Sequence, residues 1–134
     1  MTKIESEEKV VNRSAKESFE FLSDFRNFEH LMPPQVVDWE ATEEECVFTI
    51  QGMATLGMRM ENKIPYSQID ISKNGKAPFD FTLHCFITEE GVDQSKIQLA
   101  LNADLNPFLK MMAVKPLTNF LNMLVDKYSG LHSQ

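Results

Sequence analysis

The chain is poor in the groups that carry out covalent or metal chemistry. It has two cysteines, Cys46 and Cys85, and three histidines, His30, His84 and His132. The cysteines have no CxxC spacing and no neighbouring histidine pair, so each reads as a buried structural thiol, and no disulfide is implied. No HxxxH or HExxH spacing occurs, and neither a metal nor a cofactor is expected. There is no nucleophile elbow and no glycine-rich phosphate loop. The five glycines, Gly52, Gly57, Gly75, Gly91 and Gly130, stand singly, as turn and bulge residues do. Nothing after Met1 is apolar for long enough to be a signal peptide or a membrane-spanning helix, so a cytoplasmic protein is the expectation. Positive charge is also scarce: 13 basic residues face 20 acidic ones, for a net charge of −7. That balance repels phosphate backbones and anionic lipid heads, and argues against a nucleic-acid partner unless a basic patch exists locally.

Apolar volume, by contrast, is plentiful. The 134 residues are 43% hydrophobic, with ten phenylalanines, one tryptophan and eight methionines. A chain of this length forms one domain, 1–134, and can bury a sizeable core without a disulfide or metal staple. Lys3–Asn12 alternates as a first strand. Ser14, with Glu17 three residues on, makes a capping box, and Ala15, Phe19 and Leu22 follow at helical spacing. Ser23 or Asp24 restarts a short helix through Phe25, Phe28 and Leu31, which Pro33-Pro34 ends.

A series of alternating segments then reads as antiparallel strands with one wet face. Val37, Trp39 and Ala41 share a side, as do Cys46, Phe48 and Ile50, and then Leu56, Met58 and Met60. Ile69 and Ile71 precede an Asn74-Gly75 turn. Phe79 to Ile87 forms the clearest strand, Glu90-Gly91 turns the chain, and Ile97 to Ala103 completes the series. Asn106 caps a last long helix whose stripe is Leu117, Phe120, Leu121, Leu124 and Tyr128. Pro116 should bend this helix and Gly130 should stop it.

This order of elements resembles the helix-grip fold. The local carriers are Ser14-Ala15 entering the first helix, Phe21-Leu22-Ser23-Asp24 within it, Leu31-Met32-Pro33 leaving it, and the helix from Asn106. The chain is similar, over nearly its whole length, to the START-like (SRPBCC) superfamily. That superfamily contains START lipid-transfer domains, birch-pollen-allergen-like proteins, polyketide cyclases and coenzyme Q-binding proteins. The small bacterial members look most like it. The resemblance implies an α+β fold in which a curved antiparallel sheet of about seven strands grips a long C-terminal helix. It also implies a hydrophobic cavity between the two, and no universal catalytic motif. The alternative architecture is the cone-shaped fold of the nuclear-transport-factor and ketosteroid-isomerase type, but that usually opens with helices and lacks the closing helix.

The strand parities and the last helix converge on one candidate ligand-binding set: Phe28, Trp39, Phe48, Met58, Met60, Phe81, Leu83, Leu99, Leu101, Met112, Phe120 and Leu124. Methionine suits a surface that accepts flexible apolar ligands, and equally suits ordinary packing. Phe25, Phe28 and Met32 are candidates for a lid over one cavity mouth. Catalytic residues are harder to find. Glu8 would face inward with Ile4 and Ser6 in a regular strand, where its charged form would be disfavoured; a bulge would return it to water. Tyr66 and Arg59 are weaker candidates still, and His84 alternates onto the wet face. Three readings stay open: a binding module for a lipid, quinone or polyketide-like molecule; a small cyclase, dehydratase or isomerase; and a fully packed interaction domain. The residues favour the first and assign no catalytic group.

Overall fold

The computed structural model describes residues 1–131, so His132 lies outside the described residues. The elements run β1 (Thr2–Glu5), β2 (Lys9–Val11), α1 (Ala15–Leu22), α2 (Phe25–Phe28), a single 3₁₀ turn (Glu29–Leu31), β3 (Val36–Ala41), β4 (Glu45–Ile50), β5 (Ala54–Ile64), β6 (Gln68–Lys73), β7 (Phe81–Gly91), β8 (Gln94–Ala103) and α3 (Pro107–Leu131). All strands pair antiparallel in the order β1-β8-β7-β6-β5-β4-β3, with β2 continuing the β1 edge along β8. This is the helix-grip arrangement: a curved sheet, a short helix pair after the first strand, and a long C-terminal helix.

The local chemistry of the helix pair is as the sequence implies. Ser14 Oγ accepts from the Glu17 amide while the Glu17 carboxylate accepts from the Ser14 amide, completing the capping box. Asp24 caps α2 by accepting from the Arg26 amide. Phe25 and Phe28 are both buried, their rings 5.2 Å apart.

Three strand details differ from simple alternation, and each has a local cause. The first strand is broken. Glu5 pairs with Ala100 but Lys9 pairs with Ile97, so one extra residue is accommodated between them. Ser6 bridges the break: its amide donates to the Leu99 carbonyl, and its hydroxyl accepts from the Leu99 amide. The extra residue reverses the parity, so Ile4, Ser6 and Val11 are buried while Glu8 and Val10 face water. A second bulge, between Val37 and Glu40, sits at Asp38, whose φ of 55° is in the left-handed region. Val36 rather than Val37 therefore joins Trp39 and Ala41 against the core. The β7–β8 hairpin turns at Val92-Asp93, with Asp93 at φ 55°, instead of at Glu90-Gly91. Phe79 precedes β7 in an irregular segment, although it still packs against the core.

α3 is a single helix of 25 residues that continues through Pro116. The Asn106 side chain caps it by accepting from the Leu109 amide. Gly130 lies within the helix, which runs to Leu131, instead of stopping it. Leu117, Leu121, Leu124, Val125 and Tyr128 are buried; the first three share the cavity wall with Leu83 and Leu101, and the last three share a small gap with Ile97 and Leu99. No helix among the described residues is long and apolar enough to cross a membrane.

Gly57 needs to be glycine for reasons of space. The segment after β6 folds over it: the Gly57 amide donates to the Lys76 carbonyl, and the Gly57 carbonyl accepts from the Asn74 amide. A Cβ at this position would lie 1.9 Å from the Asn74 carbonyl oxygen. Gly57→Ala must therefore displace backbone and strain both hydrogen bonds. The expected loss is about 2 kcal/mol or more of unfolding free energy, checked by urea denaturation.

Candidate functional site

The concave sheet face and α3 do not close completely. Between them lies a cavity of about 50 Å³ whose walls are entirely apolar side chains. Of the twelve residues proposed from sequence, eight line it: Phe28 from α2, Phe48 from β4, Met58 from β5, Phe81 and Leu83 from β7, Leu101 from β8, and Phe120 and Leu124 from α3. These come together because alternate residues of adjacent antiparallel strands share a face, and α3 crosses that face.

Four of the twelve lie elsewhere. Met60 is buried in the core without reaching the cavity. Leu99 borders a separate gap of about 10 Å³ beneath Leu22, Leu31 and Tyr128. Trp39 stands behind the wall, half-buried, with its ring 5.2 Å from that of Phe48. Met112 is 60% exposed on the outer side of α3. Six wall residues were absent from the sequence-derived set: Met32, Ile50, Leu56, Phe79, Leu117 and Leu121. Parity with Phe48 and Met58 points to Ile50 and Leu56, and the α3 stripe points to Leu117 and Leu121. Phe79 is in phase with Phe81 and Leu83, and Met32 is a lid candidate from sequence, although both sit in irregular segments. Of the three lid candidates, Phe28 and Met32 line the cavity, whereas Phe25 is wholly buried core.

Ile50 and Phe120 also border a groove of about 350 Å³, formed with Gln35, Gln51, Gly52, Met53 and Pro116. They are thus a shared wall, a partition between the apolar cavity and the groove beside Pro116.

α3 is held very unequally along its length. Its C-terminal half is latched by a chain of buried hydroxyls. Ser95 Oγ donates to the Arg13 carbonyl at 2.8 Å, Ser18 and Ser95 share a hydrogen bond at 3.0 Å, and the Tyr128 hydroxyl donates to Ser18 at 2.9 Å. Because Ser95 has one hydrogen and gives it to Arg13, Ser18 must donate to Ser95, and every hydroxyl in the chain is a donor. Burial pushes the Tyr128 phenol above its ordinary pKa. Asn122 Oδ1 accepts from the Glu7 amide, and Asp126 pairs with Lys9 at 2.9 Å. The N-terminal half of α3, which covers the cavity, is held mainly by apolar contact through Ala113, Leu117, Phe120 and Leu121.

Among the described residues, no titratable group lines the cavity. Glu8 is in water, paired with Lys96 at 3.4 Å, so the bulge settles its side. Arg59 is held by Glu61 on the exposed sheet face, and Tyr66 stands exposed with its edge against Phe19. Burial pushes the Cys46 and Cys85 thiols up to about 12, and both are free and inert. Among the described residues no group of three or more acidic, histidine or cysteine side chains could hold a metal.

His84 is the one histidine in a relay. Its Nδ1 lies 2.6 Å from Asp70 Oδ1, and its Nε2 lies 3.1 Å from Thr82 Oγ1. Burial opposes the Asp70 charge, but hydrogen bonds from Gln68 and His84 outweigh it and hold the carboxyl below its usual range. The trio lies on the sheet face away from α3, so it serves that face and not the cavity.

Comparison of the sequence with family models and with curated proteins finds no match. Solved structures, however, match across the chain. A START superfamily protein from Mycobacterium smegmatis superposes with a TM-score of 0.71 at 16% identity, over 96% of this chain and 95% of that one. The chain carries the START-like (SRPBCC) fold. Norcoclaurine synthase from Thalictrum flavum, solved with dopamine and hydroxybenzaldehyde, gives 0.75 at 15% identity, covering 97% of this chain and 85% of that one. The di-domain ARO/CYC protein BexL of the BE-7585A biosynthetic pathway gives 0.69 at 16% identity; the match covers 98% of this chain but 47% of that protein. At such identities the likeness is one of fold.

The latch has a measurable strength. Tyr128→Phe removes one buried donor and leaves Ser18 Oγ with an unfilled acceptor site. The expected cost is about 1–2 kcal/mol, read as a lower urea midpoint with an unchanged m-value.

Proposed function

We propose that this protein binds a small hydrophobic or amphipathic molecule, a lipid, quinone or polyketide-like ring, between the concave sheet face and α3. The observation that carries this reading is the apolar cavity, which shares the Ile50 and Phe120 wall with a neighbouring groove. Pockets for small molecules occupy about 300–1,000 Å³. The cavity alone is too small for such a ligand, while cavity and groove joined would reach that range. Loading on this reading displaces the Phe120 side chain and the N-terminal half of α3, the half without polar anchors. The two free, buried thiols suit a reducing cytoplasm.

An enzyme of the cyclase, dehydratase or isomerase kind is the second reading, since the fold is shared with norcoclaurine synthase and with an ARO/CYC protein. Such chemistry needs an acid or base within hydrogen-bond reach of the substrate. The cavity wall offers none, which favours binding without reaction.

An environment-sensitive apolar dye tests the reading. The native protein should bind it at micromolar concentration. Leu101→Trp fills the cavity and should weaken binding about tenfold or more, at a folding cost of about 1–3 kcal/mol. Phe120→Ala removes the partition; if the open form is populated at about 10%, affinity should rise by up to about tenfold. Absence of dye binding by both the native protein and Phe120→Ala would overturn the carrier reading and favour a packed interaction domain.

A further inference from the structure

The first turns of α3 expose apolar side chains that pack against nothing. Phe108 is 65% exposed, Met111 76% and Met112 60%. With Lys115 they stand at offsets of three, four and seven residues, which is one side of a helix, and that side is opposite the buried Leu117 and Leu124. Lys110 is exposed as well, so the start of the helix overhangs the end of the sheet. Met53, 38% exposed, lies at the tip of the β4–β5 turn in the same groove as Pro116.

The charge here is opposite to that of the molecule. From Pro107 to Val125 there is no acidic residue, whereas the chain as a whole carries −7. Lys110 and Lys115 form no ion pair among the described residues, while other lysines, such as Lys9, Lys63, Lys73 and Lys96, have acidic partners. Asp104, just before the helix, and Asp126, far along it, bound the acid-free stretch.

We propose that the start of α3 is a peripheral docking surface for an anionic lipid bilayer. Phe108, Met111 and Met112 enter the headgroup–acyl boundary, Lys115 on their side of the helix meets anionic headgroups, and Lys110, on the other side of the same overhanging turn, adds to the local positive charge. The protein's other charges do not prevent this, because at physiological salt interactions fade beyond about 8 Å, so the charge at the point of contact governs. The remaining acidic surface then orients the molecule, keeping other faces away from the bilayer. A second copy of the chain fits less well: a two-fold contact of this patch on itself would bring like-charged lysines together. Docking by this tip also turns the groove at Met53 and Pro116 toward the bilayer. The surface does not require a filled cavity, so its test is independent of the dye experiment.

Flotation with vesicles of phosphatidylcholine containing about 30% phosphatidylglycerol, at physiological ionic strength, reads the surface directly. The native chain should float with these vesicles and partition at least about tenfold less into pure phosphatidylcholine. Met111→Asp with Met112→Asp should abolish flotation, and Lys110→Glu with Lys115→Glu should reduce it at least about tenfold. All four positions are exposed, so thermal melts should match the native protein. The proposal is overturned if the native chain does not float, if neutral and anionic vesicles bind equally, or if the folded variants float as well as the native chain. It is also overturned if light scattering shows a dimer that the methionine variants dissociate, since the patch would then belong to a second copy.

Discussion

Everything in this molecule depends on burying one stripe of α3 against the concave face of the sheet. The sheet cannot close on itself, because β3 and the β1/β2 strand remain at opposite edges. Its inner face carries Ile69, Ile71, Leu83, Cys85, Ile97 and Leu99, all within reach of water unless covered. At about 25 cal/mol per Å² of apolar surface, that face supplies the main drive for the helix to dock. Leu117, Leu121, Leu124 and Tyr128 recur at intervals of three and four, so they form a continuous cover. A helix is stiff and roughly straight, and a twisted sheet is saddle-shaped. Contact is therefore tight at one end and incomplete at the other, and the incompleteness is the cavity.

The tight end is where the polar groups are. Tyr128, Ser18, Ser95 and the Arg13 carbonyl form a fully satisfied buried chain, and such a chain fixes geometry because each member loses a partner if the helix slides. Asn122 and Asp126 tie the same half of α3 to the broken first strand. No equivalent ties hold the segment over the cavity. Apolar contacts are non-directional and tolerate sliding and repacking better than hydrogen bonds do. The helix is thus pinned at its C-terminal half and adjustable at its N-terminal half, with Pro116 between the overhanging tip and the gripped stripe. Proline there removes a hydrogen bond to the Met112 carbonyl, which softens the helix beside the cavity.

The fold was legible because its signals are periodic. Period-two runs such as Phe81 to Ile87, the capping box at Ser14 and Glu17, and the stripe from Leu117 to Tyr128 each report local geometry that tertiary packing did not overturn. What sequence could not supply was phase wherever the backbone departs from regularity. The extra residue near Ser6 exchanges the sides of Glu8 and Val11. The left-handed Asp38 exchanges Val36 for Val37. Neither departure has a glycine or proline to announce it. Met112 illustrates a different limit. It is apolar, but helical spacing puts it on the side of α3 opposite Leu117 and Leu124, so it faces outward. An apolar side chain in a helix is not a core residue unless it shares the stripe that packs. The partition of Ile50 and Phe120 was illegible for a related reason, since a wall and a core look alike in one dimension.

On the proposed binding reading, the lack of polar groups among the described residues that line the cavity would have a consequence for selectivity. A binding site discriminates sharply only when it contains buried hydrogen-bonding groups that a wrong ligand leaves unpaired; a missing methylene changes affinity by only about 1–3 kcal/mol. Walls built from phenylalanine, leucine, isoleucine and methionine can therefore sort ligands by size and shape, and only weakly by chemistry. Methionines at positions 32 and 58 relax even the shape criterion, because an unbranched thioether adapts to what it meets. Any sharper selection must come from groups met at the mouth. Those are Gln35 and Gln51 and the backbone around Gly52, which border the groove outside Phe120. They can hydrogen-bond a hydroxyl, a carbonyl or a headgroup while the apolar remainder passes inward. An amphipathic ligand satisfies both regions at once, tail inside and head at the mouth, whereas a purely hydrocarbon ligand leaves the amides to water at no cost. On the proposed reading, the division of the site into an apolar interior and an amide-lined rim would therefore favour molecules with one polar end.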